Sequence, residues 1–261
     1  MISGQSVRHW STRSIPPDMR LDFWLSTLRD SLWPVSEWSD VAESFHVQIR
    51  EASLGPLSSV AQTIAPHSSH RTRRDVDRSA GDFYHLFYNE GAPWALSHRG
   101  RTEVVDRGGA ILVGSEEHEV CVPQGFSGIV FKCPADWLHE WVPNPRHMVG
   151  RHIRSDSRWG RVLCPMLSQL TPELAAAPPL PAEALVDHLG VVLAMMGEAS
   201  KPRSRPDLIR KARQMVCERH AEPGLTASDV ASALNVPVRI LHQALAAQGT
   251  TFLKLLSEAR S

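Results

Sequence analysis

From about Phe45 to Lys132 the sequence runs in short segments rich in β-branched and aromatic residues; after Pro134 apolar residues recur every three to four positions. The runs FYHLFY (83–88), WALSH (94–98), TEVVD (102–106), AILVG (110–114), HEVCV (118–122) and GIVFKC (128–133) are divided by turn signals. These signals include Asn89-Glu90-Gly91, Arg107-Gly108-Gly109 and Pro123-Gln124-Gly125. Strands so short and evenly spaced pair antiparallel and form a small barrel or sandwich. Ahead of them, residues 18–32 read as an amphipathic helix, with Asp18 as N-cap and Leu21, Trp24, Leu25, Leu28 and Leu32 along one side. Behind them, helices are expected near 135–142, 157–170 and 181–198. The last carries Leu185, Leu189, Val192, Leu193 and Met196 on a broad apolar face, which either packs on the barrel or pairs two subunits. The fold class is therefore α+β, a β-barrel with flanking helices followed by an all-α segment.

A chain of 261 residues, 42% of them hydrophobic, has room for two cores. The polar, proline-broken stretch at 199–206 is the expected linker between units at 18–198 and 207–261, and residues 1–17 are expected to be flexible. Residues 201–261 hold 10 Lys and Arg against 5 Asp and Glu, whereas the rest hold 18 against 23. A basic tail on an acidic body suits a polyanion-binding module attached to another unit. The start of the chain has basic residues with no apolar run behind them, and no stretch is long enough to span a bilayer; the expectation is a soluble, cytoplasmic protein without membrane partners. Cys121, Cys133, Cys164 and Cys217 stand far apart, which indicates buried reduced thiols rather than a zinc knuckle or disulfide framework.

The segment LTASDVASALNVPVRILHQAL (225–245) divides into the parts of a helix-turn-helix. Thr226 with Asp229 makes a capping box, Val230 and Leu234 give the first helix an apolar side, and Ala231 is small enough for a close crossing. Asn235 tolerates the left-handed turn and Val236 plugs it. The second helix places Val238, Leu241, Ala244 and Leu245 inward and leaves Arg239, His242, Gln243 and Ala246 opposite. Arg pairs bidentately with guanine and Gln with adenine, so this face suits the major groove; an ordinary helical hairpin with a solvated polar face has the same pattern. Upstream, Ile209, Ala212, Met215 and Val216 define a further helix. Downstream, Gly249 reads as a C-cap and Thr251 as an N-cap, ahead of Phe252, Leu255, Leu256 and Ala259.

This succession resembles the first half of the AraC/XylS DNA-binding domain, through Leu225-Thr226, Ala231, Arg239 with Leu241, and Gly249 with Thr251-Phe252. The resemblance implies base reading by Arg239, His242 and Gln243, and phosphate contacts from Thr226, Ser228 and Thr251. Asn235, Pro237 and Leu245 depart from the family's usual glycine, serine and phenylalanine. Losing the serine cap costs on the order of 1 kcal/mol. Family members continue into a second helix-turn-helix, so with Ser261 last the expectation is a partial DNA-binding domain, cut after the first helix-turn-helix.

The segment from the first helix to Ile153 resembles the cupin-like, AraC-binding-like sensor found in a branch of that family. The matches are Leu54-Gly55-Pro56-Leu57, His70-Arg71-Thr72-Arg73 and the CPADWLHEWVPNPRHMVGRHI segment. It implies an effector-sensing and dimerising unit over 18–198. In the run 83–88, Phe83, His85 and Phe87 share one face and Tyr84, Leu86 and Tyr88 the other, and either set lines the lumen. The effector-binding candidates are Phe83, His85, Phe87 and Arg71; the Arg71/Arg73/Arg74 group reads either as an anion site or, preferably, as a charged, solvated strand edge. His67, His70, His85 and Glu90 lack the spacing of a cupin metal set, so neither metal nor cofactor is expected and an enzyme is disfavoured. No Ser-His-Asp arrangement or phosphate-binding loop is evident. The sequence thus points to a homodimeric transcription regulator of double-stranded DNA, modulated by a small-molecule effector and with RNA polymerase a possible partner. The alternative is a truncated sensor that no longer grips DNA.

Overall fold

The computed structural model describes residues 6–39, 41–42, 44–79, 81–200, 205–220, 222, 224–234, 238–246 and 249–260. The chain divides into two compact units, Met1–Ser200 and Lys201–Ser261. In chain order the first unit's strands are β1 (Arg8–Ser11), β2 (Glu37–Ser39), β3 (Val47–Leu54), β4 (Leu57–Ile64), β5 (His67–Arg71), β6 (Phe83–Asn89), β7 (Trp94–His98), β8 (Arg101–Val105), β9 (Ala110–Val113), β10 (His118–Val122), β11 (Phe126–Pro134) and β12 (His152–Ile153). Its helices are α1 (Arg20–Ser31), α2 (Arg73–Asp77), α3 (Ala135–Trp141), α4 (Gly160–Gln169), α5 (Pro172–Ala176) and α6 (Ala182–Ser200).

The strands form two antiparallel sheets, a seven-stranded one ordered β1-β3-β4-β11-β6-β9-β12 and a five-stranded one ordered β2-β5-β10-β7-β8. Ile49, Val60, Ile111, Val113 and Val130 of the larger sheet meet Trp94, Leu96, Val105 and Val122 of the smaller, and Trp24 and Leu28 of α1 join that core. The other face of the larger sheet, with Leu54, Leu86, Leu112, Ile129 and Phe131, packs on Leu138, Leu163, Leu167, Leu189 and Leu193 of α3, α4 and α6. Burial on both faces explains why β9 is four apolar residues in a row and why β11 lacks clean alternation. The smaller sheet is covered on one side, and β7 alternates accordingly. This is the α+β, cupin-like architecture that the patterning and the resemblance imply.

Two local expectations change. Asp18 is not the cap of α1, because Pro17, with its dihedral preset for a helical turn, starts a 3-10 turn over Pro17–Met19 ahead of it. Part of the segment expected to be flexible is a strand: Arg8–Ser11 pairs with β3, Arg8 forms an ion pair with Glu51 at 2.8 Å, and the Thr12 hydroxyl accepts from the Val47 N–H at 2.9 Å.

The second unit comprises α7 (Arg205–Arg219), α8 (Ala227–Ala233), α9 (Val238–Ala246) and α10 (Phe252–Arg260). Ile209, Ala212, Val216, Leu225, Val230, Ala231, Leu241, Leu245, Phe252, Leu255 and Leu256 close one core.

Candidate functional site

Between the two sheets lies a cavity of about 60 Å³, walled by Trp24, Trp33, Phe87, Trp94, Val122 and Phe126 with Gln62, His67, Arg71 and His118 among them. An adjoining pocket of about 360 Å³ is lined by Arg29, Asp30, Trp33, Phe83, His85 and Lys132, with Arg71 again among its walls. Trp33 and Arg71 therefore stand where the two spaces meet. Phe83, His85 and Phe87 are all on these walls, whereas Tyr84, Leu86 and Tyr88 turn to the helical layer.

Trp33 follows α1 and is the hub of the junction. Its ring centroid is 3.9 Å from that of His85, 4.8 Å from His118 and 5.9 Å from Phe87, and the Arg71 guanidinium carbon lies 5.5 Å from it. His85 is 1% exposed, and among the described residues its ring nitrogens make no well-formed hydrogen bond beyond the approach of the Leu32 backbone. Burial holds its pKa well below the ordinary value, aided by the positive charges of Lys132 and Arg71 and by repulsion from His118 when that ring is protonated, against the opposing hydrogen bond of the Leu32 backbone. Burial also brings His118 down to about 4, against the acceptor Glu116 carbonyl 2.9 Å from its Nδ1. Both rings are neutral at pH 7. The cavity walls hold further polar atoms without a hydrogen-bond partner among the described residues: Nε1 of Trp24, Trp38 and Trp94, and Oε1 of Gln62. Buried indole N–H groups normally find acceptors.

Of the two readings of the Arg71/Arg73/Arg74 group, anion site or solvated strand edge, the second does not hold for Arg71. It is 1% exposed, and directly after it Thr72 caps α2 through a capping box with Asp75. The Arg71 guanidinium donates to the Ser115 carbonyl at 3.3 Å, to the Pro34 carbonyl and to the Ser79 hydroxyl at 2.5 Å. Burial lowers its pKa while Asp75 acts at a distance to raise it. Oδ2 of Asp75 accepts N–H and O–H donors from both Thr72 and Ser36; burial alone would raise its pKa, but these bonds outweigh it and hold it low. Arg73 and Arg74 are exposed on α2.

The histidines weighed as metal ligands are dispersed. His67 faces the Ala65 carbonyl and stacks on Trp38, His70 contacts Glu37 at 3.0 Å, and His85 lies at the junction. Among the described residues no group of three or more His, Cys, Asp or Glu could hold a metal ion. Sequence reading missed Trp33, His118 and Lys132. A lysine inside the otherwise apolar run of β11 was the available signal, since strand pairing sets Lys132 directly opposite His85.

In the second unit Thr226 and Asp229 form the expected capping box: the Asp229 N–H donates to the Thr226 hydroxyl at 3.2 Å, and that hydroxyl donates to the Asp229 carboxylate at 2.6 Å. The Thr226 proton is thus engaged within the helix start. Ala231 is fully buried where α8 meets α9. Ser228 and His242 are exposed, and Thr251 accepts the Lys254 N–H at 3.3 Å as N-cap of α10. Gly249, with φ of +67°, supplies the left-handed turn before it. The turn residues Asn235, Val236 and Pro237, linker residues 201–204 and the side chains of Arg239, Gln243 and Ala244 lie outside the described part. Among the described residues no helix is long and apolar enough to cross a membrane.

Residues 24–196 match the family described as the AraC-binding-like domain. The crystal structure of the AraC-like transcriptional activator CuxR aligns over 97% of this chain and 93% of its own, with a TM-score of 0.59 at 16% identity, a likeness of fold. The Clostridium difficile EutQ protein aligns over 40% of this chain and 82% of its own, with a TM-score of 0.29 at 18% identity. No curated protein matches the chain.

Proposed function

Because the chain belongs to the AraC-binding-like domain family, we propose that it is a DNA-binding transcription regulator whose barrel unit senses a small effector. The observation that carries this reading is the union, in one chain, of a cavity-bearing cupin-like barrel with a capped, small-residue helix crossing and its own core. On this reading α9 enters the major groove of double-stranded DNA and presents Arg239, His242 and Gln243 to base edges, with Ser228 and Thr251 toward phosphates. The chain acts in the cytoplasm as a homodimer and communicates with RNA polymerase. Dimerisation raises the effective concentration of the second reader and offsets weak binding by each.

Gel-shift binding to the DNA upstream of its own gene and neighbouring genes tests this. Wild type should bind and the binding should weaken steeply with salt. Arg239→Ala and Gln243→Ala should each cost about 1–3 kcal/mol in discrimination between bases. Wild-type binding no tighter than that of these variants at low salt would remove base reading by α9. No binding at all would leave a sensor that does not read DNA.

A further inference from the structure

Arg71 carries a full charge in the interior, hydrogen-bonded only to neutral acceptors, with the buried Asp75 carboxylate acting on it at longer range. Among the described residues no carboxylate forms an ion pair with it, and three of its five N–H donors are spent on Ser115, Pro34 and Ser79. A buried cation with no carboxylate in direct contact is costly, which makes its surroundings a place where an anion is stabilised. Lys132 adds a second cation. It is half-buried in β11, its ammonium lies 4.5 Å from the centre of the Phe83 ring, and it makes no hydrogen bond or ion pair among the described residues. His85, opposite Lys132 in the strand register, is buried, and among the described residues its ring nitrogens make no well-formed hydrogen bond beyond the approach of the Leu32 backbone.

These three groups line one pocket of about 360 Å³, a size that admits a small organic molecule. The exposed Arg29 and Arg78 also line it, and Asp30 is the acidic residue on its walls among the described residues. The remaining wall combines an apolar side made by Leu32, Trp33, Pro34 and Phe83 with Gly81 and the polar Ser79 and Ser115 that bond to Arg71. A small inorganic anion would satisfy the charges and waste the apolar wall; a neutral hydrocarbon would do the reverse. We propose that this pocket binds an organic acid, its carboxylate held by Arg71 and Lys132 with His85 alongside, and its apolar body laid against Trp33 and Phe83. The proposal rests on the reading of the barrel as an effector-sensing unit and names the class of effector. Since Trp33 also walls the inner cavity, displacing its ring opens a path for a longer apolar tail toward Trp24 and Trp94.

Isothermal titration of the full chain with hexanoate and phenylacetate, against their neutral twins hexanamide and phenylacetamide and against inorganic phosphate, tests this. At least one acid should bind about tenfold more tightly than its amide, the loss expected when a charge-assisted hydrogen bond is removed. Lys132→Gln, at a half-buried position that tolerates the change better than Arg71 would, should weaken the acid by a similar factor and leave the amide unchanged. Equal binding of acid and amide, phosphate binding as tight as the acids, no response to either acid, or an acid affinity indifferent to Lys132→Gln would each overturn the proposal. Gel shifts on the same preparation separate the two readings: DNA binding without acid binding overturns the effector class alone, while acid binding by a protein that ignores DNA supports the effector class and removes the regulator.

Discussion

His118 is the residue at which pH should be felt most directly. It binds fewer protons in the folded chain than in the unfolded one between its folded pKa of about 4 and the ordinary 6.5. Its contribution to stability is therefore full above about 6.5 and falls as the solution is acidified toward 4, a gap of order 3 kcal/mol. His118→Gln should flatten the decline of unfolding free energy across that window in a urea series. Curves that stay parallel to wild type would contradict this assignment, although His85 and His67, shifted in the same direction, keep part of the slope in both proteins. A steric test sits at Gly190 of α6, where an added Cβ would come within 2.3 Å of the Trp141 ring. Gly190→Ala should destabilise the first unit by about 1–3 kcal/mol, read as a shift in denaturation midpoint.

Among elements, α8 depends on its first turn. Removing the Thr226 hydroxyl leaves the Asp229 N–H uncapped and the carboxylate without its closest donor. Thr226→Ala should cost about 1 kcal/mol, measurable by denaturant unfolding followed through helix dichroism. That cap was readable in the sequence because both partners lie within four residues of each other. The runs at 83–88, 94–98, 110–114 and 118–122 were equally legible as strands, since each is a local alternation or apolar run between turns. Which face of β6 meets the cavity was not legible, and the reason is physical: Leu86 is buried against helices and His85 against Trp33, so both faces carry the signature of burial. Strands β1, β2 and β12 have two to four residues, too few to show a period, and exist through pairing with distant partners. The burial of Arg71 was hidden for the same reason, since Pro34, Ser79 and Ser115 approach it from three different parts of the chain.

For the whole molecule, two units with separate cores imply that the first can be studied alone. A fragment comprising residues 1–200 should keep the β-sheet dichroism of the full chain and the same affinity for an organic acid; loss of either would mean that the first unit depends on the second. The ring of indoles around the cavity has a consequence of another kind. Trp24, Trp33 and Trp94 are 1%, 7% and 2% exposed, so their excited states relax in a dry surrounding and their emission should lie toward the blue. Of these three indoles Trp33 is the one that lines both spaces, and it meets His85 edge-on. Any occupant that moves it will change the colour and yield of that light, so the chain carries an intrinsic optical gauge of whether its barrel is filled.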